Sequence, residues 1–161
     1  MNSELNDKYL YKKAAGDEWT PLGTNANGVR ILSIEGFNER GKALNVYTEQ
    51  WLDSHEEDIY IAPDSKGDTK IVRENVSIKM TFIISPRYSN VVNFNIDTAY
   101  DTFLDNVTET DIWLKSEYVH KTVHCICLEA TKTKQAKFQR GNDSYIIGEI
   151  EFHTLDKPQT Y

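Results

Sequence analysis

Both cysteines of the chain lie in one segment, His124-Cys125-Ile126-Cys127, with His120 four residues upstream. Thiolates and imidazoles are the usual ligands of zinc-type ions, so a metal site is the first chemistry to weigh. The spacing argues against it. In a strand, successive side chains point to opposite faces. His120 and His124 then fall on one face, Cys125 and Cys127 on the other with Val123, and one strand cannot turn both sets toward one ion. Nor does the spacing suit a disulfide. Two residues apart in a strand, the Cβ atoms stand about 6–7 Å from each other, whereas a disulfide needs about 3.8 Å. The pattern predicts two free thiols acting as small core hydrophobes, which suits a reducing compartment. His55 and His153 have no local partner pattern.

The carboxylates invite similar scrutiny. Asp53, Glu56, Glu57 and Asp58 cluster beside His55. No glycine-containing calcium-loop spacing accompanies them, so they read as a solvated acidic rim. Asp97, Asp101 and Asp105 repeat every four residues and read as the outer face of a helix. There is no Gly-x-Ser-x-Gly, no P-loop, no dinucleotide glycine pattern and no His-Glu-x-x-His. We therefore expect a binding or assembly protein and not an enzyme, with no metal and no cofactor.

These residues must be positioned by about one domain's worth of chain. The 161 residues carry 18 Lys+Arg against 25 Asp+Glu, a net charge of −7. That balance disfavours broad binding to nucleic-acid phosphates. No run of 18 apolar residues is present, which leaves no candidate membrane helix. The opening residues are polar and acidic and lack the pattern of a secretory signal.

Residues 1–28 show no clean period and read as an N-terminal arm, docked on something else through Tyr9, Tyr11 and Trp19. Residues 29–156 read as a single β-rich domain, and 157–161 as a C-terminal tail. Val29–Ile34 is β-branched and closed by Gly36, a strand. Leu44, Tyr47 and Trp51 stand at i, i+3 and i+7, a short helical stripe, with a loop held down by its aromatics as the competing reading. Asp58–Ala62 reads as a strand, and Pro63–Asp68 as a hairpin connection. From Val72 to Ile84 apolar residues alternate with polar ones, only Glu74 breaking the apolar side, predicting one long half-buried strand that Pro86 ends. Ile96, Tyr100, Phe103, Leu104 and Val107 share one helical face, so Asp97–Val107 is a helix, with Asp97 as its N-cap. Asp111–Ser116, His120–Thr131 and Ser144–Leu155 read as strands. Trp113, inside an apolar run, is expected in the core, and Gly148 marks a bulge or a close contact.

Between the last two strands Lys132, Lys134, Lys137 and Arg140 surround Phe138, a basic hairpin tip on an acidic protein. A solvated tip is the plain reading; the sharper one is a docking loop for an acidic neighbouring subunit, against a surface such as 53–58, with Trp51, Asp53, Glu56 and Glu57 among the interface residues. Four segments carry a resemblance: Ile34-Glu35-Gly36-Phe37-Asn38, Tyr47-Thr48-Glu49-Gln50-Trp51-Leu52-Asp53, Val72-Arg73-Glu74-Asn75-Val76 and Ser144-Tyr145-Ile146-Ile147-Gly148. With the order of elements they resemble structural tail proteins of tailed bacteriophages and prophages, of the tail-tube, tail-terminator or distal-tail kind. The resemblance implies a mainly β, α+β fold: an antiparallel β-sandwich or barrel with one flanking helix. It implies self-association into a ring, contact with other tail or connector proteins, and residence in the virion tail after assembly in the host cytoplasm. It also implies an acidic lumen through which DNA passes without specific contact, and no membrane partner. The alternative reading is a monomeric carbohydrate-binding-like β-sandwich whose Trp19, Trp51 and Trp113 stack on sugar faces.

Overall fold

The computed structural model describes residues 8–50, 57–62, 67, 70–138 and 143–161; of 47–50 and 57–61 it describes the backbone. In chain order the elements are β1 (Tyr9–Lys12), β2 (Thr20–Pro21), β3 (Val29–Glu35), β4 (Val46–Gln50), β5 (Glu57–Ile61), β6 (Ser77–Ile84), a 3-10 turn (Pro86–Tyr88), α1 (Ile96–Thr108), β7 (Ile112–Ser116), β8 (Lys121–Ala136), β9 (Tyr145–Thr154) and β10 (Gln159–Thr160). The fold is mainly β, with one antiparallel eight-stranded sheet and, among the described residues, a single α-helix.

The chain divides into two compact units. The smaller spans Glu39–Val76. In it β4 and β5 pair antiparallel from Val46↔Ile61 to Gln50↔Glu57. The helical stripe expected through Leu44, Tyr47 and Trp51 is therefore a strand from Val46 to Gln50. Val46, Tyr47 and Thr48 are β-branched or aromatic and favour a pleated surface when a partner strand is at hand. The remainder of that stripe, with Trp51, lies outside the described residues, as does the turn at 63–66.

The larger unit holds the sheet, in the order β2-β1-β7-β8-β9-β6-β3, with β10 beside the start of β8. One face of it forms the core. Ile78, Met80, Phe82 and Ile84 of β6 meet Ile146, Ile150 and Phe152 of β9, all fully or almost fully buried. Their partner pairs, such as Met80↔Ile150 and Ile78↔Phe152, put large side chains directly opposite each other. Helix α1 covers this face with Phe103 and Val107, and the Phe82 and Phe103 rings meet at 4.8 Å. Gly148 provides the space for Phe82: a Cβ at that position would stand 2.6 Å from the ring. The close contact expected there is what the glycine serves.

The expected strand from Val72 is shorter, starting at Ser77. Alternation marks a residue as able to join a sheet, but ladder bonds need partners, and β9 reaches only as far as the His153↔Ser77 pair. Residues 72–74 bond instead to 42–45 within the smaller unit, through Leu44 N–H to the Val72 carbonyl at 2.7 Å and Glu74 N–H to the Lys42 carbonyl at 2.9 Å. The helix is capped by Asn95, whose Oδ1 accepts from the amides of Asp97 and Thr98 at 3.0 and 3.1 Å. Asp97 lies within the first turn, where its charge suits the helix dipole.

The stretch expected as an arm supplies strands to the sheet. β1 pairs with β7 from Tyr9↔Ser116 to Lys12↔Trp113, and Leu22 is fully buried. The expected C-terminal tail pairs as β10 with Thr122 and Lys121. Tyr9 adds a link across the fold: it packs on the same core as Ile34 of β3, whose backbone partly offsets the rise that burial gives the Tyr9 phenol pKa. β1 and β3 lie toward opposite ends of the strand order, so the sheet curls until its ends approach, in the manner of an incomplete barrel.

Candidate functional site

β8 is a 16-residue strand, and its two sides are used unequally. On one side β9 follows it to the last pair, Ala136↔Tyr145. On the other, β7 pairs only from Lys121 to Cys125. Beyond Cys125, that edge has no strand partner among the described residues. Register shifts between Cys127 and Glu129 and between Lys132 and Lys134 interrupt the ladder. Leu128, at the first shift, is 57% exposed. An open strand edge is a template for another chain, and lysines and bulges restrict which chain can pair there.

The basic residues expected on a loop tip are placed differently. β8 runs five residues past Thr131, so Lys132 and Lys134 belong to the strand, held by cross-strand neighbours Gly148 and Ile147. Lys132 Nζ stands 5.0 Å from the centre of the Tyr100 ring on α1. Lys134 Nζ lies over Tyr145 at 5.8 Å. Lys137 Nζ pairs with Asp97 Oδ2 at 2.6 Å. Two of the three lysines therefore face their own helix, satisfying part of its acidic stripe. Phe138 stays 56% exposed. Arg140, Trp51, Asp53 and Glu56 lie outside the described residues; Glu57 opens β5 opposite Gln50.

Lys132, Lys134, Lys137 and Phe138 thus share one arm, while Tyr9, Tyr11 and Trp19 are at the far side of the sheet. Tyr9 and Tyr11 face inward and pack on the core. Burial raises both phenol pKa values above the ordinary tyrosine value. Trp19 is half-buried, with Lys12 Nζ 4.5 Å and Lys115 Nζ 5.7 Å from its ring centre.

Trp113 is not in the core. Strand β7 turns Ile112 and Leu114 inward and Trp113 outward, where its ring stacks on His124 with centroids 3.9 Å apart and planes 2° apart. His124 Nε2 meets Asp111 Oδ2 at 2.7 Å, and Nδ1 stands 3.8 Å from Asp156. The sequence hides this cluster because only the Trp113↔His124 register brings the pair together. One tryptophan face is covered by imidazole and the other tryptophan is flanked by ammonium groups, which weakens a sugar-stacking role for either. The alternation of His124 and Cys125 is as expected. Cys125 is buried and free, and burial holds its thiol far above the ordinary cysteine range. Among the described residues no group of three histidine, cysteine or carboxylate side chains is placed to hold a metal.

The outer face also carries acid. Glu129 sits opposite Glu151 across β8 and β9, and Lys79 sits opposite Glu151 from β6. With Glu149 they line a shallow hollow of about 140 Å³. Like charges directly opposite in a sheet are unfavourable, and Lys79 relieves this from one side only.

No protein-family model and no curated protein matches this chain.

Proposed function

We propose that the protein is a non-enzymatic structural subunit of a bacteriophage tail, assembling head to tail as a ring or connector component. One observation carries the reading: the distal half of β8 presents an edge without a strand partner among the described residues, on a long arm with Leu128 and Phe138 exposed. An edge of this kind is satisfied by strand addition from a neighbouring copy, where main-chain bonds give affinity and side chains give selectivity. Lys134, the arm lysine that does not face the helix, selects an acidic partner surface, and the Glu129-Glu149-Glu151 face supplies one. The two surfaces differ, so the contact is heterologous and closes as a ring when the rotation permits. The four segments resembling tail proteins supply the class of assembly.

Light scattering and electron microscopy of the full chain test this. We expect oligomers at low salt, closed rings in the images, and a shift to smaller species in Lys134→Glu. A monomer at every concentration and salt rejects the reading and favours the ligand-binding alternative.

A further inference from the structure

A pocket of about 410 Å³ opens on the flank of α1. At 100° per residue, Asn95, Thr98, Thr102 and Asn106 share this flank, turned away from the Asp97 and Tyr100 side that meets the β8 lysines. Its floor is apolar: Tyr11, Leu22, Phe94, Ala99 and Phe103. Asn27 braces one wall, accepting from the amides of Thr24 and Val29 and donating to the Leu22 carbonyl.

The rim is polar, and its groups are largely uncommitted. The side chains of Tyr11, Asn93, Thr98 and Thr102 make no hydrogen bond among the described residues. Asn95 spends its Oδ1 on the helix cap, and Asn106 spends its Oδ1 on Lys13 Nζ at 3.0 Å, so both keep their amide N–H groups for another acceptor. Hydroxyls and carboxamides both donate and accept. No lining side chain carries a charge and Lys13 meets the rim only through Asn106, so the floor offers an ionised ligand no counter-charge. The volume falls within the range of small-molecule sites.

We infer that this pocket binds a neutral, hydroxyl-bearing ring of mono- or disaccharide size, its C–H face on the aromatic floor and its hydroxyls on the threonine, tyrosine and asparagine rim. This site is separate from the β8 edge and does not depend on assembly.

Saturation-transfer NMR on the full chain tests it, using methyl glycosides of glucose, galactose, mannose and N-acetylglucosamine, with sodium glucuronate as the charged comparison. Transfer to at least one neutral glycoside is expected, and none to glucuronate. The double substitution Thr98→Val with Thr102→Val keeps the pocket volume and removes two hydroxyls, and should weaken binding about tenfold. Ala99→Trp should abolish it by filling the floor. Transfer to no glycoside, equal transfer to glucuronate, or affinity unchanged in the threonine double variant overturns the assignment.

Discussion

The hydrogen at Gly148 in place of a methyl group is what lets Phe82 lie against the sheet. Gly148→Ala forces the ring or the strand to move, and we expect a loss of about 1–3 kcal/mol in urea unfolding. Adding Phe82→Leu should recover part of that loss, because the colliding atoms are ring atoms; a strictly additive double variant would contradict the contact. The thiol of Cys125 gives a second prediction at this scale. Burial raises its pKa in the folded state, so above the ordinary cysteine value the unfolded chain releases a proton that the folded chain keeps. Stability is thus complete below about pH 8.5 and falls as pH rises beyond it. Tyr9, Tyr11 and Tyr100 act in the same direction from about pH 10. Thermal unfolding across pH 8–11 should show this decline, with a shallower onset in Cys125→Ala. Side-chain parity made the Cys125 and Gly148 environments legible in the sequence. It could not place Trp113, because an apolar run looks buried on both faces until the register sets the ring over His124.

Among the elements, α1 was legible because its period is local: every contact defining the stripe of Tyr100, Phe103, Leu104 and Val107 is written within four residues. Its cap lies two residues before the expected one, since Asn95 and Asp97 are both good caps and only backbone geometry decides between them. The observed bonds from Asp97 and Thr98 to Asn95 make Asn95→Ala the costlier change, about 1 kcal/mol. Asp97→Ala loses an exposed ion pair and a dipole contact, worth less by the same measurement. Strand lengths were harder to read, in both directions. Val72–Val76 alternates except at Glu74 but pairs only through the Arg73↔Ala43 bridge, whereas Lys132–Ala136 alternates poorly yet is held by Tyr145–Gly148. A strand is a property of two segments, and sequence pattern describes one.

At the scale of the whole sheet, nothing in the sequence announces that Tyr9 meets Ile34, because the strands holding them lie toward opposite ends of the sheet order. This contact joins the first strand in the chain to the edge strand β3, and it runs through one hydroxyl. The Tyr9 ring is anchored independently, 5.1 Å from Tyr118, so Tyr9→Phe keeps the packing and removes only the hydroxyl. The Ile34 backbone then loses a polar neighbour, at a cost of up to about 1 kcal/mol. The effect should be confined to the junction. Hydrogen exchange at Ile34 should accelerate by about fivefold, while Met80 and Phe82 in the centre of the sheet exchange as before. If Ile34 exchange does not change, the ends of the sheet are held by apolar packing of Tyr9 and Ile34 alone. If the whole sheet loosens together, the hydroxyl is part of the cooperative core and not a latch on its seam.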